Sequence, residues 1–124
     1  MTTTCDLPGV FAALRLILTP YANGLTVVRD AAGTFSLSTK HILSNMKPLF
    51  FGGVEVNKRY VSFHLMPLYV FPDLLNSISP ALRGRMQGKS CFNFRHVDLA
   101  LFQELTALAA TAHARYVQAG YVAA

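Results

Sequence analysis

Between Lys47 and Met66 the chain alternates as a β-strand does. The arm Leu49–Val56 (LFFGGVEV) and the arm Arg59–Leu65 (RYVSFHL) are rich in β-branched and aromatic residues, which suit a pleated surface. Asn57-Lys58 falls between them as the turn of a hairpin, because Asn tolerates the positive φ that such turns need. Successive strand side chains point to opposite faces. Val61, Phe63 and Leu65 therefore predict a core face, while Tyr60, Ser62 and His64 predict an amphipathic face opposite. Gly52-Gly53 within the first arm predicts a bulge, or a close approach by another part of the structure.

The rest of the chain supplies the cover. Leu7, Val10 or Phe11, Leu14, Ile17 and Leu18 recur at helical spacing, with Asp6 as N-cap and Pro8 in the first turn. Thr19-Pro20 ends that helix and Asn23-Gly24 closes the turn. Leu25–Arg29 and Thr34–Ser38 predict a first hairpin around Asp30–Gly33, and His41–Lys47 reads as a polar, irregular link. A short helix opens near Pro72, and Ser79-Pro80 starts another that runs to Met86 and stops at Gly88. Ser90–Arg95 alternates as the last strand. Asp98 caps a final helix to about Gln118, with Leu99, Phe102, Leu105, Ala109, Ala112 and Tyr116 in a broad apolar stripe, and Gly120 stops it. The order α-β-β-β-β-α-β-α predicts a two-layer α+β fold: a mainly antiparallel sheet of about five strands with helices on one face.

Composition narrows this picture. The 124 residues make a single domain, and 52% hydrophobic content with 14% charged residues supplies a core and excludes a disordered chain. The net charge of +5 is spread along the chain. Two cysteines, Cys5 and Cys91, form neither a disulfide framework nor a metal-binding spacing and fit a reducing compartment. The MTTTCD start lacks the basic region of a signal peptide. The apolar run Val10–Leu18 is too short to span a bilayer. A cytoplasmic protein without a membrane segment is expected.

The runs KPLFFGGVEVNKRYVSFHLMPLY and PDLLNSISPALRGRMQGKSCFNFRHVD resemble the YdhG-like family of small bacterial domains, over about Leu25 to Tyr116. The shared features are a Lys-Pro-Leu strand, an aromatic-rich strand, a short helix, a Gly-Lys-containing strand and a C-terminal helix. The resemblance implies a compact α+β domain. The residues themselves lead to no expected cofactor; iron enters only by analogy with members proposed as frataxin-like iron chaperones. Hard iron favours carboxylate oxygens. The six acids here, Asp6, Asp30, Glu55, Asp73, Asp98 and Glu104, are dispersed along the sequence.

The candidate site is the sheet face away from the helices. If Phe92 and Phe94 join Val61 and Phe63 in the core, the opposite face gathers Tyr60, Ser62, His64, Lys89, Cys91, Asn93 and Arg95. These side chains offer donors, acceptors and an aromatic plane, which suits a small molecule or a protein partner. Two copies of the chain are also able to pair through such a face as a homodimer. The leading expectation is a non-enzymatic binding or interaction domain, with frataxin-like iron binding as the alternative. A thiol-dependent enzyme comes next, using Cys91 and His64, with Lys89 and Arg95 lowering the thiol pKa. The four histidines, His41, His64, His96 and His113, show no helical metal spacing. Lys58, Arg59, Arg83, Arg85, Lys89 and Arg95 form a basic strip. Its surroundings match neither an RNA-binding strand order nor a P-loop, so nucleic acid is not the expected partner.

Overall fold

A computed structural model describes residues 6–123. Cys5 and the reading of the MTTTC start lie outside the described residues. The first element is α1 (Leu7–Leu18), followed by a 3-10 turn at Thr19–Gly24. Four strands come next: β1 (Thr26–Ala31), β2 (Thr34–Ile42), β3 (Pro48–Val56) and β4 (Val61–Leu65). The short helix α2 (Pro67–Val70), a 3-10 turn at Pro72–Ser77 and α3 (Pro80–Arg83) lead to β5 (Met86–Gln87) and β6 (Cys91–Phe94). The long helix α4 (Leu99–Gln118) follows. Every strand pairing is antiparallel, and the sheet order is β1-β2-β3-β4-β6-β5.

The caps explain the helix limits. Asp6 Oδ1 accepts from Gly9 N at 3.0 Å, Ser79 Oγ from Leu82 N at 3.1 Å, and Asp98 Oδ1 from Leu101 N at 3.1 Å. Each satisfies an N–H that the first helical turn leaves unpaired. At the far end of α4, Gly120 takes φ +84°, and Tyr121 N donates back to Tyr116 O at 2.9 Å. That closure needs a left-handed residue, which glycine supplies at low cost.

The core lies between the sheet and the helices, on the expected side. Val61, Phe63, Leu65, Phe92 and Phe94 are buried there with Leu14, Leu18, Leu105 and Tyr116. Two half-buried arginines tie neighbouring elements together at the margins of the core. Arg15 of α1 pairs with Asp30 of β1 at 3.0 Å and lies over the Phe35 ring. Arg115 of α4 pairs with Asp73 at 2.9 Å and lies over Phe71. Tyr116 Oη donates to the Phe50 carbonyl at 3.0 Å, tying α4 to the middle of the sheet.

Several local readings are corrected. The helix starting at Pro80 ends at Arg83 rather than Met86, because Gly84 caps it and Met86–Gln87 pairs with Cys91–Phe92 as a sixth strand. Gly88, at φ +76°, belongs to the β5–β6 turn and not to a helix end. The β3–β4 turn centres on Lys58-Arg59 rather than Asn57-Lys58. Asn57 N donates to Tyr60 O at 3.0 Å, and Asn57 Oδ1 accepts from Arg59 N and Tyr60 N at 2.9 and 2.8 Å. The first short helical turn starts at Pro67, before the one at Pro72. β2 runs on to Ile42, so the irregular link is shorter than expected. Leu99 is 73% exposed and leaves the buried stripe of α4, which Leu101 and Leu108 complete.

The close approach expected at Gly52-Gly53 is present, while the bulge falls one residue before the pair. The β2–β3 register shifts so that Leu37 faces Gly52 while Ser38 faces Phe50, leaving Phe51 as an extra residue. A Cβ on Gly52 would lie 2.9 Å from the His64 carbonyl oxygen. One on Gly53 would lie 3.0 Å from that of Phe35.

Candidate functional site

The outer face is built as rows across the strands. Antiparallel register sets Arg29 against Ser36, Ser36 against Gly53, Gly53 against His64, and His64 against Cys91. The next row runs Thr34, Glu55, Ser62, Asn93. Directly opposed antiparallel residues share a face, so both rows look away from the helices. Ser62, His64, Cys91 and Asn93 are half-buried although no helix covers them.

These four side chains touch in sequence. Cys91 Sγ lies 3.7 Å from His64 Nε2 and 3.5 Å from Asn93 Oδ1. Asn93 Oδ1 also accepts from Ser62 Oγ at 2.8 Å, and Asn93 Nδ2 donates to Gln87 Oε1 at 2.6 Å. The network therefore spans β4, β6 and β5, with Asn93 as its hub.

Burial decides its ionisation. It pushes the His64 imidazole below its ordinary range, and the Glu55 carboxylate opposes that shift only in part. Burial pushes the Cys91 thiol up, against a smaller lowering from the Ser62 hydroxyl. A desolvated site favours the neutral form of each group. The site at neutral pH is a neutral thiol beside a neutral imidazole.

The remaining expected residues stand apart. Lys89, in the β5–β6 turn, holds its Nζ 5.8 Å from the centroid of the Tyr69 ring. Arg95 follows the end of β6 and lines a separate concavity. Neither makes a hydrogen bond or ion pair with Cys91. The cation that would lower the thiol pKa is thus missing from its contacts, and the shift runs the other way. Tyr60 belongs to the β3–β4 turn, where its backbone serves Asn57.

Other residues join the face unannounced. Gly53 leaves the central row without a side chain, and Phe50 reaches over it, its Cζ 3.2 Å from where a Cβ would stand. Beside it lies a shallow hollow of ≈ 200 Å³ lined by Arg29, Thr34, Ser36, Phe50, Glu55 and His64, with the strand edges at Phe35 and Val54. A guanidinium, a carboxylate, hydroxyls, an imidazole and an aromatic wall surround one space. The signal for Glu55 and Gly53 was present in the hairpin register. That for Arg29 and Ser36 lay in the first hairpin.

Among the described residues, no group of three or more His, Cys, Asp or Glu lies close enough to hold a metal ion. His113 stacks on Tyr21 at 4.7 Å and His41 meets Tyr121 at 4.7 Å, so two of the four histidines serve aromatic packing. No described helix is long and apolar enough to cross a membrane. Comparison of the chain with family models, with curated proteins and with solved structures finds no match.

Proposed function

We propose that this protein is a small cytoplasmic binding domain, without catalytic activity, that holds a small polar molecule against the uncovered face of its sheet. The observation that carries this reading is the hollow beside Gly53. Its wall combines Arg29, Glu55 and His64 with the ring of Phe50. A few convergent polar groups beside an aromatic surface are what orient a ligand and make it specific. The neighbouring Ser62–Asn93–Cys91–His64 network fixes the His64 side of that wall. Membership of the YdhG-like family remains part of this reading on its residue motifs. The iron-handling role attached to that resemblance draws no support from a cluster of ligands.

Fragment screening by ¹H–¹⁵N correlation spectroscopy tests the reading. Hits are expected to shift Ser36, Gly53, His64 and Cys91 together. Ser36→Leu, which adds bulk at the rim, is expected to abolish them while leaving the spectrum dispersed. Hits confined to the helix side, between α1 and α4, sink the proposal. A homodimer through the same face is the other occupant. It would show as a doubled mass in sedimentation at micromolar concentration, lost in Ser36→Leu.

The absence of catalysis has its own measurement. In a Cys5→Ser background, Cys91 is expected to alkylate with iodoacetamide at pH 7 more slowly than free cysteine, because only the thiolate attacks. Faster alkylation would restore the thiol-enzyme reading.

A further inference from the structure

The basic strip has no part in the outer-face site, and the structure sorts its members. Arg83 Nη2 donates to the Leu75 carbonyl at 2.6 Å, and Lys89 sits over Tyr69. Arg85 and Arg95 make neither a side-chain hydrogen bond nor an ion pair among the described residues. The two arginines that do pair with carboxylates, Arg15 and Arg115, lie elsewhere.

Arg85 and Arg95 instead line one concavity of ≈ 250 Å³, together with His96, between the end of β6 and the start of α4. The buried Phe94 forms its floor and Val97 part of its wall. Asn93 N donates to Arg85 O at 2.9 Å, which holds the first arginine beside the strand that leads into the second. Asp98 is the one acid of the lining, and its carboxylate is engaged by Leu101 N. The same bond occupies the end of α4, so the attraction rests on side chains and not on the helix.

The register adds a field. Val61 faces Phe94, so the turn carrying Lys58 and Arg59 projects at the same end of the sheet as Arg95. The lining sets two arginines against one aspartate, and a concavity with an excess of one sign of charge concentrates counter-ions. Guanidinium groups present donors in a fork that matches oxyanions.

We infer that this concavity binds the phosphate group of a small phosphorylated molecule through Arg85, Arg95 and His96. The space fits one such group and a short attached body. A nucleic acid strand needs a continuous basic track with bases stacked along it, and Arg83 and Lys89 are turned to other tasks. The inference is independent of the outer-face site.

Titration of the full chain with glycerol phosphate, followed by ¹H–¹⁵N correlation spectra at constant ionic strength, tests it. Saturable shifts are expected at Arg85 and from Arg95 to Leu99. The double variant R85Q/R95Q is expected to weaken binding at least about tenfold, the scale of one lost charged hydrogen bond. The double variant K40Q/K47Q removes the same charge at exposed positions outside both concavities and is expected to leave binding unchanged. R85K/R95K keeps the charge without the fork and is expected to fall between. Equal weakening by the two charge-removing variants would overturn the inference, as would shifts that never saturate. A single-stranded oligonucleotide that binds more tightly than glycerol phosphate, with a footprint extending over Lys58 and Arg59, would overturn the small-molecule assignment.

Discussion

Strand β4 carries two kinds of burial on five residues. Val61, Phe63 and Leu65 face the helices and are fully buried. Ser62 and His64 face the other way and are half-buried with no second layer above them. The inner set is covered by a layer of apolar rings and methyl groups. The outer set is covered sideways, by Cys91 and Asn93 on β6 and by Glu55 on β3. The first arrangement removes apolar area from water and stabilises the fold. The second takes polar groups partly out of water while giving them hydrogen bonds, which roughly cancels. It leaves its mark on ionisation more than on stability. One strand thus holds the fold together with its odd-numbered residues and prepares a surface with its even-numbered ones.

The strongest way to break this contrast is to cut both sides. Phe63→Ala on the inner face is expected to cost about 3–5 kcal/mol, as large-to-small changes of buried rings do. Asn93→Ala on the outer face removes the partner of both Ser62 and Gln87, and is expected to cost only about 1 kcal/mol. Urea denaturation of the two variants measures both, and equal losses would erase the distinction between the faces.

A subtler difference lies in pH. The folded state holds the His64 pKa below the unfolded value of 6.5. The unfolded chain therefore takes up the proton first as pH falls through 6.5, and stability drops from there towards the folded pKa. His64→Gln is expected to flatten part of that decline in the urea midpoint between pH 8 and pH 5. His113, also lowered by burial, keeps the remainder. If the decline is as steep in His64→Gln as in the wild type, lateral burial does not govern the outer face.

Much of this was legible in the residues. Asp6, Ser79 and Asp98 marked helix starts because a side-chain oxygen three residues before a free N–H is a local matter. The face partition of β4 followed from alternation alone. Strand order is not local, so nothing in the sequence placed β6 beside β4 and brought Cys91 against His64. Met86–Gln87 was too short to carry a pattern and was absorbed into the preceding helix. The bulge caused the largest loss at the site. Phe50 and Gly53 have opposite parity, yet the extra residue between them brings the Phe50 ring over Gly53. A period of two breaks where the chain inserts one residue. The basic residues were recognised, but their separation into Arg85–Arg95 and Arg83–Lys89 depends on turns that only the folded chain defines.

The bond from Tyr116 to the Phe50 carbonyl bears on how the protein is made. The two residues lie 66 positions apart, and a ribosome delivers them in that order. While the chain is still being extended, the carbonyl at the bulge lacks its α4 partner, and the inner rings of the sheet await α4. Domains fold as units once their parts have emerged. The middle of this sheet is therefore locked by the last turn of its last helix, and a nascent chain halted before Tyr116 would leave its central strand unfinished.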